Sequence, residues 1–271
     1  MSVPRSACRG TPIVSGRQQT MAEQGTPRFG ILIIGDELLS GRRQDKHMAA
    51  VIERLEARGL ELSWARIVGD DPALLTENLQ QTFASGDVVF SFGGIGATPD
   101  DRTRQCAAAA LGLPLVLHPE GEREIREQFG ERATAQRLRM AEFPEGAELI
   151  PNPVNRVAGF SIRHHHFVPG FPKMAWPMVA WVLDHHYARW HAPGVRVQQT
   201  LRVPGAREGD LIPLMEAFVA RYPDLRLSCL PKSDAQGFEV ELGLRGEGHR
   251  VAPAMHELRT GVEALGYEVR E

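Results

Sequence analysis

The sequence predicts an α/β protein: a three-layer α/β/α domain around a mostly parallel sheet, followed by a small α+β domain. Three observations carry this. "FGILIIG", from residue 29, is an unbroken apolar run, as in a strand buried on both faces. From residue 28 strand-like and helix-like segments alternate, which implies right-handed βαβ units. Near residue 192 the alternation gives way to a different pattern that opens with Pro and Gly.

After the first strand, "DKHMAAVIERLEARG" reads as a helix. Asp45 suits its N-cap, Met48, Ile52 and Leu55 recur at helical spacing, and Gly59 suits the C′ position. "LSWARIV" is a second strand. A second helix has Asp71 as N-cap and Pro72 at its first position. "DVVFSF" is a third strand, and "DRTRQCAAAALG" a third helix ending at Gly112. The charged stretch "PEGEREIREQFGERATAQRLRMAEFP" reads as a surface helical excursion without chemistry of its own. Short strands and turns follow, then a closing helix, "KMAWPMVAWVLDHHYARW", in which Pro177 is a candidate interruption. Beyond residue 192 the order is βαββα. The predicted domains are thus 28–192 and 193–271, with interface and shape as the expected roles of the second.

Residues 1–27 lack periodicity and are rich in Gly, Ser, Pro, Gln and Arg, with no apolar core of a signal peptide. Two readings fit: a disordered extension, or an upstream start with Met21 as the initiator.

Composition excludes several functions. The formal net charge is −3, so no global basic field draws the chain to nucleic acid or to a membrane surface. The longest apolar run is far short of the roughly 20 residues of a membrane span. Three cysteines, Cys8, Cys106 and Cys229, are widely spaced, which argues against a disulfide framework or structural zinc and for a reducing, cytoplasmic setting. Cys106 lies in a small-residue helix and reads as a buried inert thiol.

The candidate site lies where parallel sheets bind ligands, at the carboxyl ends of the strands. Gly35-Asp36-Glu37 follows the first strand, Gly69-Asp70-Asp71 the second, and "GGIGATPDD" the third. The N–H groups of Gly93, Gly94, Ile95 and Gly96 can cup a phosphate, because glycine allows close approach. Carboxylates beside a bare phosphate repel it, but become favourable with Mg2+, or another divalent cation, in between. The ligand expected is therefore a metal-bridged phosphorylated small molecule, nucleotide-like in character. The competing reading makes Asp71 and Asp101 simple helix N-caps.

Other clusters suggest structure. In His164-His165-His166, alternation along a strand sends neighbours to opposite faces, so a hairpin turn is favoured over a metal site. His185 and His186, near a helix end, read as partners of the helix dipole, and Trp176, Trp181 and Trp190 as packing.

Taken together, "GDELLSGRRQDKH", "VGDD", "GGIGATPDDRT" and "NPVNRVAGF…VPGFPKM", in this order, resemble the MoaB/Mog-like molybdopterin-binding domain. The type is that at the N-terminus of competence/damage-inducible CinA proteins and of eukaryotic FAD synthetases. The resemblance covers residues 28–190, and the tail from about 195 is similar to the small domain that follows in CinA proteins. It does not reach a nicotinamide-mononucleotide deamidase domain and implies no such activity.

The resemblance implies that Gly93 to Gly96 form the phosphate turn, with Thr98 in the same ligand-binding segment. It implies that Asp101, with Asp100 beside it, handles Mg2+ and the ligand, that Asp70 joins Asp101 in any catalysis, and that Gly35, Asp36 and Glu37 line the pocket. It also implies a homo-oligomer, dimer or trimer. The chain departs from the family pattern at Asp45-Lys46-His47 (usually Asp-Thr-Asn), at Ala97 (usually Pro), at Val157-Ala158 (usually Ala-Pro) and at Lys173 (usually acidic). Three functions fit: binding or adenylylation of molybdopterin in cofactor synthesis; metal-dependent pyrophosphatase action on ADP-ribose or FAD; and a binding module without turnover.

Overall fold

The computed structural model describes residues 25–234 and 237–270; the expectations for the N-terminal extension, Met21 and Cys8 fall outside them. Strand β1 (Phe29–Ile34) is buried at every position. Phe29, Ile31 and Ile33 pack on one face of the sheet, and Leu32 and Ile34 on the other. This is why the run is continuously apolar: both faces of the strand are covered.

After β1 come a single turn of helix, α1 (Asp36–Leu39), and α2 (His47–Glu56). The N-cap position of α2 is Lys46, one residue later than expected, but Asp45 still serves the helix start, accepting from the amides of His47 at 2.8 Å and Met48 at 3.0 Å. Next are β2 (Leu62–Val68), α3 (Pro72–Ser85), β3 (Val88–Phe92) and α4 (Thr103–Leu111). Asp71 caps α3 through the Leu74 amide at 2.8 Å. Helix α4 starts at Thr103, so Asp101 is outside it and is not its cap.

Strand β4 (Leu115–Leu117) leads to α5 (Pro119–Phe129) and α6 (Ala135–Leu138), and β5 (Glu142–Pro144) returns to pair with β4. Then β6 (Glu148–Ile150), β7 (Gly159–Ile162) and β8 (His165–Val168) complete the main sheet, in the order β2-β1-β3-β8-β7-β6. β2, β1, β3 and β8 are parallel, and β7 and β6 extend the sheet antiparallel.

Helix α7 (Pro172–His186) runs unbroken through Pro177. The proline costs the one bond to the Lys173 carbonyl, and buried Met178, Val179, Val182 and Leu183 hold the helix against the sheet. α2 and α7 cover one face, and α3 and α4 the other. Trp176, Trp181 and Trp190 pack at the margin of the first of these cores.

The histidine run forms the expected hairpin. His164 is in the turn, and His165 and His166 are on β8. The His165 ring meets Thr82 Oγ1 at 2.9 Å, whereas His166 meets Ser161 Oγ and Tyr187 Oη, each at 2.8 Å. The two rings do not share a site. Burial, with neighbouring His164 and Arg163, pushes His165 down to about 3.

The remainder forms β9 (Arg196–Pro204), α8 (Glu208–Arg221), β10 (Arg226–Asp234), β11 (Gly237–Glu247) and α9 (Gly248–Ala264). Its sheet, β10-β11-β9, is antiparallel, and Leu201, Leu211, Leu242 and Leu258 belong to a core of its own.

Candidate functional site

The glycine turn leaves β3 at Phe92. Gly93 has φ 101° and Gly94 φ 68°, values that disfavour any side chain. Space excludes one as well. A Cβ on Gly94 would sit 2.0 Å from Thr103 Oγ1, and one on Gly96 would sit 2.4 Å from Asp101 Oδ2.

The carbonyls of this turn are tied back to the start of α4. Thr103 Oγ1 donates to Gly93 O at 3.0 Å, and the Thr103 amide to Gly94 O at 3.0 Å. Arg104 Nη2 donates to Gly96 O at 2.6 Å. In a trans peptide the next N–H points away from the carbonyl. The amides of Gly94, Ile95 and Ala97 therefore turn toward the cavity these residues line. Among the described residues, the amides of Gly94, Ile95, Gly96 and Ala97 have no protein partner. Their neighbours are occupied: Gly93 N donates to Val168 O at 3.1 Å, and Thr98 N to Asp101 Oδ2 at 2.9 Å. Four consecutive free donors at a strand end are what an anion could accept from.

The carboxylates surround this turn in three distinct states. Asp36 and Asp70 are locked reciprocally: the Asp36 amide donates to Asp70 Oδ2 at 2.9 Å, and the Asp70 amide to Asp36 Oδ1 at 3.1 Å. Gly69 makes this possible, because a Cβ there would lie 2.4 Å from Asp36 Oδ1. Partial burial raises the Asp70 pKa, and the charges of Asp36, Glu37 and Asp100 raise it further. Asp101 folds back on its own turn, accepting from Thr98 N and, at 2.5 Å, from Thr98 Oγ1. Asp100 is exposed at the rim.

A cavity of about 490 Å³ brings these groups together. Gly35, Glu37, Asp70, Gly93 to Gly96, Thr98, Asp100 and Asp101 all line it. Asp36 does not; its carboxylate serves the Asp70 amide instead. Asp71 is likewise spent on its helix cap. The six acidic residues that follow the first three strands thus reduce to four carboxylates facing one space. Among the described residues no three His, Cys, Asp or Glu side chains approach closely enough to enclose a metal on their own. The donor set fits a hard divalent cation that takes one or two carboxylates and completes its shell with phosphate oxygens and water. Asp100 and Asp101 are placed to provide such ligands.

The sequence reading missed several contributors. Arg104 is only 2% exposed, lies directly behind the turn, and has no ion-pair partner among the described residues. In sequence it looked like one more polar residue of an alanine-rich helix. The excursion assigned no chemistry supplies Phe129 and Met140 to the cavity wall, because β4 and β5 fold it back over the sheet edge. Asn152, 4% exposed, binds Asn155 Oδ1 and Val157 O, and so presents Asn155 and Val157 to the cavity. Arg156 beside it has φ 60° and is clamped by Glu124 and Glu127. His47 stacks on Phe92, with centroids 4.4 Å apart, and its Nε2 meets Gly170 O at 3.2 Å. Burial holds its pKa below the ordinary histidine value, against the opposing pull of Gly170 and Asp45.

The chain is similar to known proteins. A CinA-like protein of Anaeromyxobacter sp. (strain Fw109-5) is 32% identical over 238 residues, covering 80% of this chain and 58% of that relative. The chain thus spans little more than half the length of that curated relative. An Aeropyrum pernix protein is 30% identical over 267 residues, covering 90% of this chain and 97% of that one. The crystal structure of the protein CinA from Thermoplasma acidophilum, described there as of unknown function, matches with a TM-score of 0.54 and 26% identity. That match covers 59% of this chain and 97% of that one. Residues 30–187, which hold the glycine turn and all four cavity carboxylates, match the family described as probable molybdopterin binding domain, and the chain belongs to that family as a MoaB/Mog-like domain of the CinA type.

Proposed function

We propose that the protein binds a phosphorylated small molecule, molybdopterin or a nucleotide, together with a divalent cation, and serves cofactor metabolism. The observation that carries this reading is the row of partnerless amides from Gly94 to Ala97 inside a carboxylate-lined cavity. A phosphate there receives several backbone N–H donors at once. A bound divalent cation would neutralise phosphate charge next to Asp100 and Asp101. The apolar wall of Phe129, Met140 and Met174 suits the organic part of the ligand. The family description favours molybdopterin as that ligand.

One observation favours turnover as well. Asp70 is a carboxyl with a raised pKa at the edge of the same cavity. Such a group can take a proton from water as the water attacks phosphorus. The turn amides would stabilise the charge gathering on the phosphoryl oxygens. This is the metal-dependent pyrophosphatase reading, with ADP-ribose or FAD as substrate.

The deciding experiment is a panel of ADP-ribose, FAD, NAD, ATP and molybdopterin, each with Mg2+, Mn2+ or Co2+. Release of AMP from ADP-ribose or FAD selects the pyrophosphatase. Pterin binding without hydrolysis selects the molybdopterin reading. Nucleotide binding without turnover leaves a binding module, and no binding of any compound refutes the phosphate site. We propose further that the protein is a dimer or trimer of identical chains; a monomer by light scattering at micromolar concentration refutes this.

A further inference from the structure

A second cavity, of about 440 Å³, adjoins the first. The two share Ile34, Glu37, Arg43 and Gly170, so they are neighbouring chambers with a common wall. Their charges differ. The first chamber has four carboxylates, Glu37, Asp70, Asp100 and Asp101, and one cationic side chain among its described lining residues, Arg43. The second has two cations, Arg43 and Lys46, and only Glu37 and Asp45 as carboxylates.

Those two carboxylates are largely committed. Both oxygens of Asp45 accept from the amides of His47 and Met48. Glu37 meets the Arg43 guanidinium at 3.6 Å, a loose single contact rather than a bidentate pair. The Arg43 backbone is fixed, its amide donating to Glu37 O at 3.0 Å. Its side chain is 64% exposed and can re-aim its remaining donors. Lys46 is exposed and makes no hydrogen bond or ion pair among the described residues. The first amides of α2 are taken by Asp45, so the positive charge offered to a ligand here is that of Arg43 and Lys46.

Resting on the phosphate-turn reading, we propose that the second chamber is an anion subsite of the same ligand, with Arg43 as the clamp between chambers and Lys46 as its second cation. The ligand class is then a phosphate compound with two separated anionic groups. The metal-bridged phosphate sits on the turn from Gly94 to Ala97, and the other anion, a phosphate or carboxylate on a second arm, sits between Arg43 and Lys46. Both cations lie in one short segment, Arg-Arg-Gln-Asp-Lys-His at 42–47.

The test uses the full chain with Mg2+ and calorimetric titration of three probes: ADP, ADP-ribose and ADP-ribose 1″-phosphate. The unmodified protein is expected to bind the phosphorylated probe about tenfold more tightly than ADP-ribose, the scale of one well-placed charge pair. Arg43→Ala/Lys46→Ala removes that preference, while ADP affinity falls much less. Arg43→Lys with Lys46 retained keeps most of it. Both side chains are exposed, so melting curves of the variants should match the parent. Equal affinity for ADP-ribose and its 1″-phosphate, or a preference that survives in the double variant, overturns the subsite alone. Failure of all three probes to bind overturns the phosphate-turn reading and the subsite with it.

Discussion

Arg104 and Gly96 are joined by a hydrogen bond of 2.6 Å from a buried guanidinium to a backbone carbonyl at the centre of the cavity wall. The charge has no ion-pair partner among the described residues, and its Nε has no hydrogen-bond partner. Burial accordingly lowers the Arg104 pKa, although Glu142 and Asp101 act against this. A protein seldom keeps such a group for stability, since an apolar side chain of similar volume is often as good or better. Its geometry gives the reason: it draws the Gly96 carbonyl back and so aims the Ala97 amide forward.

Arg104→Met therefore separates stability from binding. The melting temperature is expected to hold or rise, and ADP affinity in Mg2+ to fall about tenfold, as for loss of one charge-assisted contact. Paired melting and titration experiments read both. A fall in melting temperature with unchanged affinity would show that Arg104 serves packing rather than the turn.

Asp101→Asn addresses the cation. The amide side chain retains one acceptor oxygen for Thr98, so the fold is expected to remain. It loses the negative charge, and Mg2+-dependent nucleotide binding or turnover is expected to vanish. Titration of ADP with Mg2+ and with EDTA checks this. Full binding with unchanged metal dependence refutes the metal role of Asp101.

Asp70 makes a prediction about pH. Its folded-state pKa lies above the unfolded value, so the native state binds the extra proton between the two. Stability thus falls as pH rises through that window, and the penalty is fully present above the folded pKa. Below the unfolded value it is absent. Asp70→Asn keeps an acceptor for the Asp36 amide and removes the charge. In EDTA it is expected to raise the neutral-pH melting temperature and to flatten its decline between acidic and neutral pH. An unchanged profile would refute the raised Asp70 pKa, and with it the effect of burial and of the neighbouring carboxylates there.

Much of the site was legible because strand ends and glycines write themselves into sequence. The apolar run at Phe29–Ile34 marked a strand covered on both faces, and the residues after it had to lie at the ligand edge. What the sequence left ambiguous was how each carboxylate is spent. Asp71 and Asp101 look alike on paper, each preceded by an acidic residue and followed by a helix. One is a cap and the other folds back on Thr98, a difference set by Pro72 at the first helical position in one case and the three-residue offset of Thr98 in the other. Arg104 and the wall from Phe129 and Met140 were invisible, because their roles depend on contacts between segments distant in sequence.

The last prediction concerns the join between the main sheet and the sheet β10-β11-β9. Glu61, 12% exposed, receives three guanidiniums: Arg196 at 2.8 Å, Arg226 at 3.2 Å and Arg245 at 3.1 Å. Arg245 also reaches Glu56 at 3.0 Å. The three arginines stand on β9, β10 and β11, and Glu61 sits just before β2, at the end of the strand opposite Asp70. Removing this charge leaves three cations facing one another across a partly dry contact. Glu61→Gln is expected to weaken the join by about 1–3 kcal/mol, below the roughly 3–5 kcal/mol of a fully buried pair because Arg196 and Arg226 are exposed. Cleavage by trypsin after Arg189 or Arg196, which flank the segment 191–195, should then accelerate, and small-angle scattering should show a larger radius of gyration. High salt should reproduce much of the effect in the parent protein, because screening weakens the same contacts. ADP affinity should stay within about threefold of the parent, since the cavity lies at the other end of the sheet, beyond direct reach of a screened charge. A larger loss of affinity would reveal that the C-terminal domain controls the cavity, and would make the Glu61 cluster the route by which it does so.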